Sequence, residues 1–204
     1  MMDRASIMVE PDLNQRIAER VRGLRAARGL SLDALAKKSG VSRSMISLVE
    51  RGESSATAVV LEKLATGLGV VLASLFDAPS GSPLAPSGPL ARRNEQPQWR
   101  DPGSGYVRRN VSPPAAAQPI QIVEVRFPPG RRVAFESISR DVRVHQQVWV
   151  LEGTIDITLG SKRHRLQKGD CLAMQLDQPT IFHDPTRGPT RYAVVIASEP
   201  RAAR

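Results

Sequence analysis

The sequence predicts a two-domain protein, with an all-α domain first and an all-β domain second. Three observations predict this order. Apolar residues recur at helical spacing up to about residue 77 and alternate with polar residues after about residue 104. Between them, Pro, Gly and Ser dominate residues 78–103 and no periodicity survives. The length of 204 residues is sufficient for two small domains.

The composition favours a soluble protein with a polyanionic partner. The formal net charge is +9 and the sequence pI is near 10.7. Cys171 is the single cysteine, which excludes an internal disulfide and fits a reducing compartment. The N-terminus lacks the apolar core of a signal peptide, and no apolar stretch approaches the roughly 20 residues of a membrane span. We therefore expect a cytoplasmic protein without a membrane partner.

Five short helices are expected in the first domain, residues 12–77, behind a tail at residues 1–11. An apolar stripe at helical spacing predicts the first helix. It comprises Leu13, Ile17, Val21 and Leu24. The other predicted helices are Leu32–Ser39, Arg43–Arg51, Thr57–Leu68 and Val71–Phe76.

The turn between the second and third helices has steric requirements at fixed spacing. Ala36 must be small because the third helix crosses over it. Gly40 supplies the positive φ that turns the chain without a Cβ clash. Ser31 and Ser42 are typical N-caps, since their hydroxyls accept backbone N–H bonds.

The third helix is expected to be apolar inside and polar outside. Its inner side chains pack on Leu35 and comprise Val41, Ile46 and Val49. The outward side chains are Ser42, Arg43, Ser44 and Ser47. A small, polar and basic outer face fits the major groove of DNA. An ordinary helical hairpin with a solvated serine face is the alternative.

Residues 13–76 resemble the helix-turn-helix domain of the XRE family, related to phage lambda repressor and Cro. The likeness is strongest in ALAKKSGVSRSMISLVERG. Leu32 and Asp33 stand where many members carry Gln, and Ala56 lies near the place of a common proline. The resemblance implies sequence-specific binding to double-stranded DNA and transcriptional regulation.

The resemblance also implies DNA-contact roles for individual residues. Ser42, Arg43 and Ser47 would face base edges, with Arg43 suited to read guanine, and Ser44 shares their outward face. Phosphate contacts, which hold register without reading sequence, would come from a further set: Ser31, Lys38, Arg51, Ser54 and Ser55.

Residues 78–103 are expected to form a partly extended linker, with Trp99 marking the place where the chain docks again. The second domain, residues 104–199, precedes a tail at residues 200–204. Its predicted strands are Tyr106–Val111, Ile120–Phe127, Val148–Leu151, Thr154–Leu159, Cys171–Gln175 and Tyr192–Ala197. Many short strands at close spacing predict a β-barrel or sandwich.

The second domain resembles a cupin, a small double-stranded β-helix barrel. The motifs that carry the resemblance are FPPG at 127–130, VWVLEGTIDITLG at 148–160, LQKGDCL at 166–172 and QPTIFHDPTRGPTRYAVV at 178–195. Together with the first domain, this pairing resembles regulators that join a DNA-binding head to a cupin sensor.

The metal ligands of cupins have no counterpart in this sequence. Metal cupins use two His and a Glu on one strand and a His on a later strand; here Gln146 takes the Glu position and Thr180 the later His position. No histidine occupies the paired positions. His145 and His183 lie nearby but are offset, which points them away from the barrel interior. We expect no metal, no cofactor and no catalytic residue.

Strand alternation places five side chains inside the barrel, in an apolar pocket with a few polar anchors. They are Gln146, Val148, Val150, Thr180 and Phe182. From residue 91 onward there are 18 basic and 11 acidic residues. This excess allows an anionic effector, although a basic outer surface explains it equally well.

The leading hypothesis is therefore a homodimeric transcriptional regulator whose barrel dimerises the chain and senses a small molecule. Two alternatives remain. One is a cupin enzyme with a helix-turn-helix accessory domain, as in certain cupin epoxidases, and the missing His ligands argue against it. The other is a barrel that only dimerises the chain and binds no ligand.

Overall fold

The computed structural model describes residues 10–76, 88–113, 119–136 and 142–200. Within these ranges a helical domain packs against a domain of two β-sheets. Most of the predicted tails and residues 78–87 of the predicted linker lie outside the described residues.

Four α-helices and one 3₁₀-helix form the described part of the first domain. They are α1 (Glu10–Ala27), α2 (Leu32–Ser39), α3 (Arg43–Glu50), α4 (Ala58–Gly67) and the 3₁₀-helix Leu72–Phe76. The prediction of a fifth α-helix is wrong. Gly69, at a φ of 66°, follows the end of α4, and the Ser74 N–H then bonds the Val71 carbonyl three residues earlier. The segment is too short for a regular ladder of i→i+4 bonds.

Side-chain caps set the first residues of α2 and α3. The Ser31 Oγ accepts the Ala34 N–H at 3.1 Å, and the Ser42 Oγ accepts the Met45 N–H at 3.2 Å. Gly40 follows α2 with a φ of 68°, in the left-handed region that side chains with a Cβ rarely adopt. The predicted caps and turn are confirmed. None of the helices in the described ranges is long and apolar enough to cross a membrane.

Ten strands form the described part of the second domain. They are β1 (Gln98–Arg100), β2 (Val107–Asn110), β3 (Ile120–Phe127), β4 (Arg132–Phe135), β5 (Val142–Glu152), β6 (Thr154–Leu159), β7 (Lys162–Gln167), β8 (Cys171–Gln175), β9 (Thr180–His183) and β10 (Thr190–Pro200). All six predicted strands are confirmed, whereas β1, β4, β7 and β9 were not predicted.

The strands pair antiparallel in two sheets. One has the order β1-β2-β3-β10-β5-β8 and the other the order β4-β9-β6-β7. Side chains alternate across each strand, so that Val148 and Val150 of β5 are fully buried while Trp149 between them is 51% exposed. The all-β prediction for this half of the chain is confirmed.

Residues 88–103 of the segment predicted as a linker belong to the described structure. A 3₁₀-helix, Arg93–Glu95, leads into β1, which pairs with β2 and extends the six-stranded sheet. Trp99 of β1 is only 5% exposed, because it packs between the two domains. The prediction that the chain docks again at Trp99 agrees with this position.

The turn between β1 and β2 docks on the first residue of α4. The buried carboxylate of Asp101 accepts the Ala58 N–H at 2.8 Å through Oδ1. Its Oδ2 accepts the Ser104 N–H and hydroxyl at 2.7 and 2.6 Å. A negative charge is stabilised at a helix N-terminus, where backbone N–H groups lack helical partners. Asp101 therefore caps a helix of the other domain.

Two further polar contacts join the domains. Lys63 of α4 pairs with Glu136, just after β4, at 2.8 Å. The Asn110 side-chain amide of β2 donates to the Ala73 carbonyl in the 3₁₀-helix at 3.5 Å. The first domain is thus held at both ends of the segment that runs from α4 to the 3₁₀-helix.

Seven of the eight aromatic side chains form one connected series that begins in the first domain. Successive ring centroids are 5.5 to 6.5 Å apart, which is the range of favourable ring contacts. The order is Phe76, Trp99, Tyr106, Phe127, Tyr192, Phe182 and Phe135. The series joins the 3₁₀-helix to the interior of the second domain.

Replacing Asp101 with Ala should lower the free energy of unfolding by about 1–3 kcal/mol, because buried N–H groups lose their acceptor. Urea denaturation followed by tryptophan fluorescence measures the loss. Asp101→Asn, which keeps the acceptor oxygen, should lose less. Gln98→Ala, an exposed change on the same hairpin, should stay within about 0.5 kcal/mol. Equal losses for Asp101→Ala and Gln98→Ala would contradict the interdomain cap.

Candidate DNA-binding surface and interdomain cavity

The nine residues predicted to contact DNA lie on or beside α2 and α3. Ser47 and Ser54 are half-buried and the others are exposed. The exposed ones are Ser31, Lys38, Ser42, Arg43, Ser44, Arg51 and Ser55. The structure therefore places the predicted set at or near the surface around α3.

A buried ion pair fixes α3 against α1. The Arg25 guanidinium donates to both carboxylate oxygens of Glu50, at 2.6 and 2.7 Å, and to the Leu30 carbonyl at 2.9 Å. This hydrogen bonding to Glu50 raises the pKa of Arg25. Two parallel N–H···O bonds restrict orientation as well as distance, so the outer face of α3 has a defined direction.

Several of the predicted contact residues have partners within the protein. The Arg43 Nε lies 3.6 Å from the Asp33 carboxylate, with both side chains largely exposed. Arg51 donates to Ser47 and pairs with Glu53 at 2.7 Å. These exposed pairs are weak in water, so the two guanidiniums can exchange a carboxylate for a phosphate or a base edge.

A cavity lies in the second domain and is lined in part by the first. It offers about 80 Å³ to the centre of a water-sized sphere, which is several times what one water molecule needs. Of the predicted pocket residues, Gln146, Thr180 and Phe182 line it. Val148 and Val150 do not, because they are fully buried farther along β5 in the packed core.

Sequence reasoning missed the charged residues in the cavity wall. Arg108 of β2 and Glu62 of α4 are both buried and both line the cavity. Arg108 lies over the Phe76 ring, with its guanidinium carbon 5.3 Å from the ring centroid. The alternation in the run VRRN could have placed Arg108 inside, but only the packing of the two domains brings Glu62 opposite the barrel.

Two tyrosines in the wall keep their phenol protons. Burial raises the pKa of Tyr106 well above its usual range; Asp101 and Glu62 add to this rise, while Arg108 opposes it. Burial likewise raises the pKa of Tyr192. Both hydroxyls are therefore neutral groups at physiological pH, able to donate or accept hydrogen bonds.

The histidines near the barrel face away from the cavity. His145 is about half exposed and its Nε2 lies 3.3 Å from Glu199, whereas the adjacent Gln146 lines the cavity. The His183 Nδ1 lies 3.9 Å from Asp156 on the four-stranded sheet. Within the described ranges no three His, Cys, Asp or Glu side chains are close enough to hold a metal ion. The absence of a metal remains a prediction.

Comparison with known proteins identifies the first domain. Residues 21–74 match the helix-turn-helix family HTH_3. The HTH-type transcriptional regulator SutR of Escherichia coli (strain K12) is 26% identical over 162 residues, which cover 79% of this chain and 83% of that protein.

Solved structures resemble both domains together. An HTH_3 family transcriptional regulator from Vibrio cholerae aligns with a TM-score of 0.73 and 28% identity, over 94% of this chain and 99% of that chain. Weaker likenesses are a Cupin_2 domain of an XRE family transcriptional regulator from Enterobacter cloacae (TM-score 0.41, 17% identity, 47% and 98% of the two chains) and hydroxypropylphosphonic acid epoxidase from S. wedmorenis (0.44, 18%, 91% and 98%). The chain thus has a helix-turn-helix domain followed by a sheet-rich domain.

Arg43→Ala should weaken binding to a site selected from random DNA by about 1–3 kcal/mol, while binding to unselected DNA changes little. The reason is loss of a guanidinium that reads a base edge. Fluorescence anisotropy on both DNAs measures the difference. Lys168→Ala, on an exposed turn of the second domain, serves as the charge-matched control. Equal losses on selected and unselected DNA would assign Arg43 to a phosphate contact.

Proposed function

The chain is a DNA-binding transcriptional regulator with a helix-turn-helix domain and a cupin-like domain, and we propose that it acts as a homodimer controlled by an effector. The observation that supports this most directly is the fixed placement of α3, with its polar face outward, in a chain whose second domain contains a cavity. DNA reading, pairing of two copies and effector binding then belong to three separate surfaces of one chain.

The DNA surface has two kinds of contact in this proposal. Ser42, Arg43, Ser44 and Ser47 reach base edges from α3. Lys38, Arg51, Ser31, Ser54 and Ser55 hold the phosphates on either side. The hydroxyl of Ser42 already caps α3, so its base contact would use its remaining hydrogen-bonding capacity.

Two copies are needed because one helix-turn-helix reads only a few base pairs. Residues 12–77 carry ten basic and seven acidic side chains, a modest excess for attracting phosphates. Two heads on half-sites about 34 Å apart combine their binding energies. A symmetric dimer would place such heads on a two-half-site operator.

The outer face of the six-stranded sheet is the surface we assign to the second copy. Trp149 is the aromatic residue outside the connected series and is 51% exposed; its register partners, Ala193 and Cys171, are small and leave the indole projecting. Ile120 and Ile122 of β3 are also exposed, at 50% and 39%. An apolar centre of this kind marks an interaction surface.

The rim of this face supports pairing with an identical surface. One end carries Arg143 and Glu199, which pair at 3.2 Å, and the other carries Arg191 and Glu124, which pair at 3.6 Å. Each end thus presents both signs of charge, so a copy turned about a two-fold axis meets complementary groups.

Trp149→Arg should convert the dimer to monomer and weaken binding to the two-half-site DNA, because a buried aromatic anchor contributes about 2–4 kcal/mol to an interface. Light scattering coupled to size exclusion measures the mass. Leu90→Arg, at another exposed apolar position, is the matched control. A Trp149→Arg protein that stays dimeric would place the interface elsewhere.

The barrel is expected to act without a metal, because Gln146 and Thr180 occupy two ligand positions of metal cupins. Protein dialysed after addition of iron, nickel or zinc should retain much less than one ion per chain by elemental analysis. Stoichiometric metal that is lost in His145→Ala or His183→Ala would contradict this and favour the enzyme alternative.

A further inference from the structure

We propose that the cavity binds a small planar aromatic monocarboxylate, and that this ligand acts directly on the helix-turn-helix domain, which forms part of the cavity wall. The inference rests on the proposed function for its regulatory consequence. The binding site itself is argued from the cavity alone.

The wall of the cavity is shared between the two domains. Glu62 of α4 and Leu72 of the 3₁₀-helix line it on one side, together with Val71. Most of the remaining lining comes from strands of the two sheets, and the rest from the loop residues Glu136, Leu176 and Gln178. A ligand in the cavity therefore touches the domain that carries α3, and no separate relay between domains is needed.

Aromatic rings form a substantial part of the cavity wall. Five members of the connected aromatic series line the cavity: Tyr106, Phe127, Phe135, Phe182 and Tyr192. The rings of Phe182 and Tyr192 stack at 6.0 Å, and Phe135 meets Phe182 edge-on at 6.0 Å. Flat faces and edges of this kind favour a planar, unsaturated ligand over a puckered one.

A guanidinium defines the polar end of the site. Arg108 is 7% exposed, and its Nε donates to the Asn110 side chain at 3.4 Å. Guanidinium groups present a fork of N–H donors that matches a carboxylate. The amides of Gln146 and Gln178 and the hydroxyl of Thr180 also line the cavity.

Glu62 couples the binding of an anion to the docking of the two domains. Glu62 and Arg108 are both buried and line the same cavity, together with Tyr106. An anion held by Arg108 would stand near the Glu62 carboxylate, in surroundings where like charges repel more strongly than in water. Because Glu62 belongs to α4, this repulsion opposes the docking of the first domain on Asp101.

The ligand therefore favours the undocked arrangement of the domains. A ligand shifts an equilibrium only by its difference in affinity for the two arrangements, and here the Glu62 carboxylate supplies that difference. The position of the two heads of a dimer would change with docking, and with it the fit to two half-sites.

Benzoate serves as the probe, with benzamide and cyclohexanecarboxylate as controls that lack the charge and the aromatic ring. In full-length Trp149→Phe protein, Trp99 at the domain junction is the remaining tryptophan, and its emission reports binding. Benzoate should give a saturable change. Benzamide should bind about ten-fold more weakly, and cyclohexanecarboxylate about three-fold more weakly. Equal binding of all three, or no binding by benzoate, overturns the site.

Two substitutions separate binding from coupling. Arg108→Gln should abolish the preference for benzoate over benzamide. Glu62→Gln should bind benzoate about ten-fold more tightly and should lose the effect of benzoate on DNA affinity. If Glu62→Gln keeps that effect, the repulsion mechanism is wrong. Should Arg108→Gln fail to fold by circular dichroism, the comparison of the three compounds on unaltered Arg108 decides the site by itself.

DNA binding without benzoate is measured in parallel on the protein with Trp149 unaltered. Failure there would refute the proposed regulator while leaving the benzoate result intact. Normal DNA binding with no benzoate preference would refute this inference alone.

Discussion

The contact between a buried carboxylate and a helix N-terminus determines how the two halves of this protein meet. Asp101 stands in the turn of a hairpin that belongs to the second domain, yet its Oδ1 caps α4 of the first. Capping and charge–dipole attraction act at the same oxygen, and the hairpin brings Trp99 against Phe76. Once these contacts form, the cavity acquires part of its wall from the DNA-binding half. The positions of Glu62, Val71 and Leu72 in that wall follow from this docking.

Local chemistry made much of the fold predictable. The caps at Ser31 and Ser42 and the left-handed Gly40 act within a few residues of themselves, so a sequence pattern is enough to find them. Strands β1 and β4 could not be found this way. Three or four residues carry too little alternation, and β1 lies among prolines and glycines that are typical of linkers. What makes Gln98–Arg100 a strand is its pairing with β2, a contact between segments that no local window contains.

The same distinction separates the predicted from the unpredicted part of the cavity. Strand alternation correctly directed Gln146, Thr180 and Phe182 inward, and it placed His145 on the opposite face. Alternation cannot tell which inward side chains face open space and which are packed. Val148 and Val150 were predicted to line the pocket, but they lie in the packed core. The place of Glu62 in the cavity wall could not be predicted for a different reason. From its sequence position it is one polar residue on an amphipathic helix, and only the docked domains show that it faces the barrel.

The hairpin of β1 and β2 also bears on how such proteins can be recombined. The Pro- and Gly-rich stretch that leads into this hairpin would be the usual choice of junction for a chimaera that joins the DNA-binding head of one protein to the barrel of another. Yet the residues that receive the head, Asp101 and Trp99, lie near the end of that stretch, in a hairpin that belongs to the barrel sheet. A chimaera joined in the linker would keep the host's hairpin and confront it with a foreign α4 and a foreign partner for Trp99. The segment to transfer is therefore the head together with its hairpin, and the junction of the chimaera should follow Asn110.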